Sequence, residues 1–211
     1  MRRVVIATPS YDGRLHTSYV NSLVNTMDLC QSQGIHVSLF TINNDPLVQI
    51  ARNQLLYNIL PRNPESVVWI DSDISWHPQD FISLVNSELD VIGATYRKKN
   101  DKEDYVLKAG SPLASGDVVE VDALGFGFLK TSTNALKQLW NSSEPYQDGE
   151  ITYKNAFEVL VKNGMVWSED VVACDKLQRL GYKIFLDKRI NCAHIGIKHY
   201  EGNFNEWSKD I

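Results

Sequence analysis

Cysteine and excess positive charge are both scarce in this chain, and each scarcity removes a class of protein. The three cysteines, Cys30, Cys174 and Cys192, show no C-x-x-C spacing and no even framework. That excludes a disulfide scaffold and leaves free thiols, packed as small apolar groups in a reducing compartment. With 21 basic against 26 acidic residues the formal charge is -5, so the electrostatic footprint of a nucleic-acid binder is missing. No apolar run approaches the roughly 20 residues that span a bilayer. No signal-type apolar segment separates Met1-Arg2-Arg3 from the first strand either, and a soluble, cytoplasmic protein is expected. Asn141-Ser142-Ser143 has the form of a glycosylation sequon but, without a secretory signal, reads as a polar turn.

What is present is an ordinary globular balance, 43% hydrophobic and 22% charged over 211 residues, enough for one continuous core in a single domain. Arg3 to Thr8 is a β-branched run stopped by Pro9, which predicts a buried strand. Val20, Leu23, Val24, Met27 and Cys30 then keep the 3.6 period up to Gly34. A strand at His36 to Ile42, a helix carrying Leu47, Ile50, Ala51, Leu55 and Ile59, and a strand at Ser66 to Ile70 follow. A helix at His77 to Ser87 and a strand at Asp90 to Thr95 complete an alternating half, residues 1–95. Such alternation implies right-handed crossovers and a mainly parallel sheet with ligands beyond the carboxyl ends of its strands. The remainder, residues 96–200, reads as an acceptor-side half. It holds an inserted lobe from Tyr96 to Asp122 and helices at Thr131 to Trp140 and Ser168 to Leu180. Closing strands are expected at Tyr182 to Leu186 and Asn191 to Ile197.

Three segments carry chemistry. Val67-Val68-Trp69-Ile70 delivers Asp71-Ser72-Asp73 at a strand's end, and carboxylates one residue apart suit Mn²⁺ or Mg²⁺ bridging to a diphosphate. They also suit a plain strand-ending Asx-turn. Ser168 is placed to cap a helix whose first turn holds Glu169 and Asp170. The helix dipole alone favours acids there, while a carboxylate beside a hydroxyl is what a general base requires. Cys192-Ala193-His194-Ile195-Gly196-Ile197-Lys198 offers an imidazole, a point of close backbone approach at Gly196 and a cation. The run Arg97-Lys98-Lys99 could meet a diphosphate but reads as a solvated loop, and Trp167 reads as an aromatic available to an acceptor.

In this order the segments resemble the metal-dependent GT-A glycosyltransferases, over Val4 to about Lys198. The likeness rests on Thr8-Pro9 with Tyr11-Asp12, Arg52-Asn53 on a helix, Asp71 and Asp73, the glycine loop Asp122 to Phe128, Glu169-Asp170 and the late His194. It extends to small viral and phage-encoded members, including those of chlorovirus type. The resemblance implies a Rossmann-like α/β fold with a small inserted lobe, and a donor that is a nucleotide-diphosphate sugar such as a UDP-sugar. Thr8, Pro9 and Tyr11 would border the nucleoside, while Asp12, Arg52, Asp71, Ser72 and Lys198 would contact the donor. Asp73 and His194 would hold Mn²⁺ or Mg²⁺, with Asp71 toward the ribose or a metal-bound water. Gly125, Phe126, Gly127 and Trp167 would face a glycan acceptor. Asp170, with Glu169 second, would take the acceptor's proton or orient its hydroxyl.

The acidic pair before a helix points to inversion and His-x-Gly-x-Lys to retention, which receives a slight preference. Two rivals remain at this level. Asp71-Ser72-Asp73, with Gly116-Asp117 and Asp122, also fits a haloacid-dehalogenase-type phosphatase. A non-catalytic sugar-nucleotide or glycan-binding module would keep the fold without turnover.

Overall fold

The computed structural model describes residues 2–110 and 113–196. In chain order its elements begin with β1 (Arg2–Ser10), α1 (Thr17–Ser32), β2 (Ile35–Asn43), α2 (Val48–Ile59), β3 (Ser66–Ile70), β4 (Ile74–Ser75), α3 (Pro78–Asn86) and β5 (Val91–Gly93). Then come β6 (Leu107–Lys108), β7 (Val118–Val121), β8 (Ala123–Leu124), β9 (Phe128–Ser132), α4 (Thr133–Ser142), β10 (Pro145–Asp148) and β11 (Ile151–Lys154). The last are β12 (Leu160–Lys162), β13 (Met165–Trp167), α5 (Glu169–Arg179), β14 (Ile184–Asp187) and β15 (Ala193–His194).

The central sheet has the order β2-β1-β3-β9-β5-β14-β7. β1 is parallel to β2 and β3, and β14 to β5, while β9 runs antiparallel to both its neighbours and β7 closes the edge antiparallel to β14. Five strands therefore share one direction. The inner strands are apolar on both faces because helices cover both. In β3 all five residues are buried, Val67 and Trp69 packing on one side and Val68 and Ile70 on the other. Leu55, Leu56, Leu136 and Leu177, from α2, α4 and α5, cover the first side. Tyr19, Leu23, Phe81 and Val85, from α1 and α3, cover the second.

Several expectations are revised by this arrangement. Val118 and Val119 belong to an edge strand of the main sheet, so the segment from Tyr96 to Asp122 is only partly a separate lobe. Thr131 lies in β9 rather than in a helix, and α4 starts one turn boundary later, where the Ser132 hydroxyl accepts from the Ala135 amide at 3.2 Å. Ser168 occupies the cap position of α5 but its hydroxyl donates to Asp170 instead of accepting from the helix. Asn141 and Ser142 end α4 rather than forming a turn. Two hairpins, β10 with β11 and β12 with β13, stand where no strand was expected. Their turns are Gly149-Glu150 and Asn163-Gly164, with φ of +60° at Gly149, +52° at Asn163 and +74° at Gly164. Positive φ at both central residues is what Asn-Gly supplies to a tight hairpin. Cys30, Cys174 and Cys192 are unpaired. Among the described residues no helix is long and apolar enough to cross a membrane.

Candidate functional site

The carboxyl ends of β1 and β3, the start of α2 and the start of α5 converge on a cleft of about 290 Å³. Its lining includes Pro9, Tyr11, Asp45, Arg52, Asp71, Ser72, Asp73, Glu169 and His194. The chain turns sharply after β3, the Ile74 amide donating to the Asp71 carbonyl at 3.0 Å, and this presents the two carboxylates in different directions.

Asp71 points to α2. Its Oδ1 accepts from Arg52 Nη2 at 2.8 Å, and Arg52 Nη1 lies 3.3 Å from Glu169 Oε1. Arg52 is 3% exposed, with its guanidinium 5.5 Å from the Phe126 ring centroid and 5.8 Å from that of Phe157. One buried cation thus faces an acid from each half of the chain, and among the described residues its Nε and Nη1 have no hydrogen-bond partner, the Glu169 contact being an ion pair alone. Burial raises the Glu169 pKa, Arg52 opposes this, and Asp170 adds to it.

Asp73 points the other way, to His194. β15 pairs antiparallel with β4, placing His194 opposite Ile74, and the Ile195 amide donates to the Asp73 carbonyl at 2.8 Å. This short ladder carries the imidazole back over about 120 residues of chain, with His194 Nε2 3.6 Å from Asp73 Oδ1. At that separation the contact is electrostatic rather than a formed hydrogen bond. Nδ1 lies 2.8 Å from the Arg97 carbonyl, so Nδ1 carries a proton and Nε2 is the nitrogen that faces the Asp73 carboxylate. Lys99 makes an ion pair with the second oxygen, Asp73 Oδ2. Burial alone would raise the Asp73 pKa, but His194 and Lys99 outweigh it and hold the carboxyl at about 2. Burial lowers and Asp73 raises the His194 pKa, with a net rise.

The other expected site residues do not share one environment. Pro9, Tyr11 and Ser72 line the cleft, Tyr11 at 72% exposure. Thr8 is fully buried with its hydroxyl 2.6 Å from the Tyr19 hydroxyl, and Phe126 is 1% exposed between Trp69 and Phe157, so neither offers a side chain to a ligand. Asp12 closes a local turn, accepting from the Arg14 amide at 3.0 Å. A Cβ at Gly125 or Gly127 would fall 2.5 Å from the Tyr96 hydroxyl, so what approaches these glycines is Tyr96 rather than a sugar. The Trp167 ring has the ammonium groups of Lys108 and Lys162 each 4.5 Å from its centroid. Asp170 is turned onto its own helix, accepting from Ser168 and, at 2.8 Å, from the Val171 amide. Lys198 lies outside the described residues.

Asp45 and Tyr96 were not marked as site residues by the sequence, and Lys99 was set aside there as part of a solvated loop. Tyr96 packs edge-on against His194 with centroids 5.1 Å apart, and the glycine spacing at 125 and 127 was its only signal. Among the described residues no three His, Cys, Asp or Glu side chains form a metal cluster. Asp73 and His194 stand as a pair, with Asp71 engaged by Arg52. Such a pair fits a hard divalent ion that completes its shell with substrate phosphates and water.

No protein-family model and no curated protein matches the sequence. Solved structures do. A197 from STIV superimposes with a TM-score of 0.59 at 15% identity, over 93% of this chain and 87% of that one. A mutant of the Drosophila β-1,4-galactosyltransferase 7, solved with manganese, UDP-Gal and xylobiose, superimposes with 0.55 at 12% identity, over 99% and 80%. GalNAc-T7 with UDP, GalNAc and Mn²⁺ gives 0.53 at 8% identity, over 92% of this chain but only 44% of that one. The chain therefore has the fold of the GT-A glycosyltransferases.

Proposed function

We propose that the chain is a Mn²⁺- or Mg²⁺-dependent glycosyltransferase that moves a hexose or deoxyhexose from a UDP-sugar to a hydroxyl of a glycan. One observation carries the reading: β15 brings His194 to Asp73 at the mouth of the cleft into which Glu169 also faces. The galactosyltransferase and GalNAc-T7 neighbours, bound to manganese with UDP-Gal and to Mn²⁺ with UDP, support the same donor chemistry.

The Asp73 carboxylate and His194 Nε2 would hold the cation, whose chemistry would be to neutralise charge on the departing diphosphate. Pro9 and Tyr11 border the end of the cleft that would take the nucleoside. Asp71, held by Arg52, faces the ribose and diphosphate region. Glu169 rather than Asp170 is the base in this reading, because it lines the cleft, whereas Asp170 is turned onto its own helix, and burial raises the Glu169 pKa, which strengthens it as a proton acceptor. The acceptor oxygen forms a bond to the anomeric carbon as the carbon–oxygen bond to the diphosphate breaks. The bonding pair leaves with the nucleoside diphosphate, and the hydroxyl proton passes to Glu169. That single displacement inverts the anomeric centre, which we propose in place of retention.

The phosphatase reading loses support from topology. Gly116 and Asp117 precede β7, four strands from β3 in the sheet, or about 19 Å at the usual strand spacing. Asp71 is moreover committed to Arg52. A thermal-shift titration tests the proposal: UDP with Mn²⁺ should raise the melting temperature of the wild type, and neither should do so for Asp73→Ala. If the variant responds like the wild type, or no nucleotide with metal shifts the wild type, the assignment fails. Release of UDP from UDP-sugar with an acceptor separates an enzyme from a pure binder.

A further inference from the structure

Lys99 holds an unusual position for a residue in an exposed loop. Its ammonium pairs with Asp73 Oδ2 while His194 stands at Oδ1, so both oxygens of the carboxylate are engaged. The loop that carries it is pinned just before Lys99. The Arg97 carbonyl lies 2.8 Å from His194 Nδ1, and Lys98 turns away to Asp104, 2.7 Å from its carboxylate. The Lys99 stem lies along the chain after β15, where a Cβ on Gly196 would come within 3.3 Å of the lysine Cδ. Its side chain is 42% exposed, against 25% for Asp73, so the ammonium can leave the carboxylate without breaking packed structure.

A cation seated on a metal-binding carboxylate competes with every other cation for it. We propose that Lys99 is a positioning and donor-binding residue: it neutralises Asp73 in the free protein, yields that oxygen to the divalent ion, and passes to the diphosphate of the nucleotide. The inference rests on the metal assignment proposed above and adds a thermodynamic consequence to it. The divalent ion alone must break an ion pair and strand an ammonium, whereas in the presence of a nucleoside diphosphate the ammonium gains new oxygen partners. Metal and nucleotide then bind cooperatively, and by linkage each strengthens the other by the same factor.

The test is a titration of Mn²⁺, followed by the electron paramagnetic resonance signal of the free ion, with and without UDP. The proteins are the wild type, Lys99→Met, Lys99→Arg, Lys98→Met and Asp73→Asn. Lys99→Met should bind Mn²⁺ alone about 5-fold or more tightly than the wild type and show a smaller enhancement by UDP, in the range expected of such couplings. Lys99→Arg, which keeps the charge, should stay close to the wild type. Lys98→Met, which removes a neighbouring charge without touching Asp73, should not change the affinity. If Lys99→Met leaves both the Mn²⁺ affinity and the UDP enhancement unchanged while Asp73→Asn abolishes binding, the Lys99 inference is overturned and the metal site stands. If Lys98→Met has the same effect as Lys99→Met, the effect is general charge and the inference also falls. If Asp73→Asn binds Mn²⁺ like the wild type, the metal assignment itself fails and takes this inference with it.

Discussion

Asp71 and Asp73 leave the same strand two residues apart and end in opposite environments. Asp71 is tied to a guanidinium 3% exposed, which also reaches Glu169. Asp73 meets an imidazole and a lysine that is 42% exposed. The first cluster has its charges paired inside the protein and little freedom to exchange partners. The second is partnered by a group that can move into water. Burial thus divides one short motif into a fixed half that sets the shape of the cleft and an exchangeable half suited to receive a ligand's cation.

The sharpest way to break the fixed half is Arg52→Met. Removing one partner of a buried ion pair leaves the others uncompensated and costs about 3–5 kcal/mol. Here two acids would lose their cation at once. Chemical denaturation should show a loss in that range, and transfer activity should be abolished even under conditions where the variant remains folded. A loss below about 1 kcal/mol would mean that Asp71 and Glu169 reach water more easily than their positions suggest.

Glu169→Gln attacks function more than stability. Loss of a general base lowers turnover by about 10²- to 10⁴-fold. Burial raises the Glu169 pKa in the folded protein. Because the base must be ionised, kcat/KM should fall as pH drops through a value above the ordinary glutamate range of about 4.3. The sign for stability is opposite to that of a salt-bridged carboxylate. The folded state binds this proton more tightly, so the contribution of Glu169 diminishes as pH rises between its unfolded and folded values. Glu169→Gln should remove both the acid limb of the rate profile and that part of the stability slope. An acid limb that persists in Glu169→Gln and vanishes in Asp170→Asn would restore Asp170 as the base.

The two halves also differ in how far they could be read from sequence. The Asp71-Ser72-Asp73 turn was legible because an unbroken apolar run, Val67 to Ile70, ending in two acids needs a chemical reason. The alternating elements of residues 1–95 were legible because both sheet faces are covered and the inner strands are apolar on both sides. His194 was reachable only through resemblance, since a two-residue ladder between β15 and β4 leaves no periodic pattern. Lys99 was passed over inside a charged run, where sequence gives solvated and ion-paired lysines the same appearance. The hairpins β10–β11 and β12–β13 were missed although Gly149 and Asn163-Gly164 mark their turns. Half-exposed strands of three or four residues show too little alternation to be seen. Phe126 was misplaced because its flanking glycines suggested an open surface, whereas Tyr96 fills that space.

Tyr96 provides the smallest and most discriminating perturbation. A methyl group added at Gly127 would stand 2.5 Å from the Tyr96 ring and hydroxyl, and that ring is 5% exposed, so it cannot swing into solvent. Overpacking of this kind costs about 1–3 kcal/mol. Gly127→Ala should therefore lower the melting temperature by several degrees, about 2–4 °C for each kcal/mol in a domain of this size. The displaced ring packs edge-on against His194 and not against Glu169. Mn²⁺ affinity should consequently weaken several-fold while the acid limb set by Glu169 stays where it was. If stability falls but Mn²⁺ affinity does not, Tyr96 is a packing residue alone and His194 is held in place by β15 and the Arg97 carbonyl without it. A shift of the acid limb together with the metal affinity would show that the fixed and exchangeable halves are mechanically joined through the loop before β9, where the Gly127 carbonyl already accepts from the Asp71 amide at 3.2 Å.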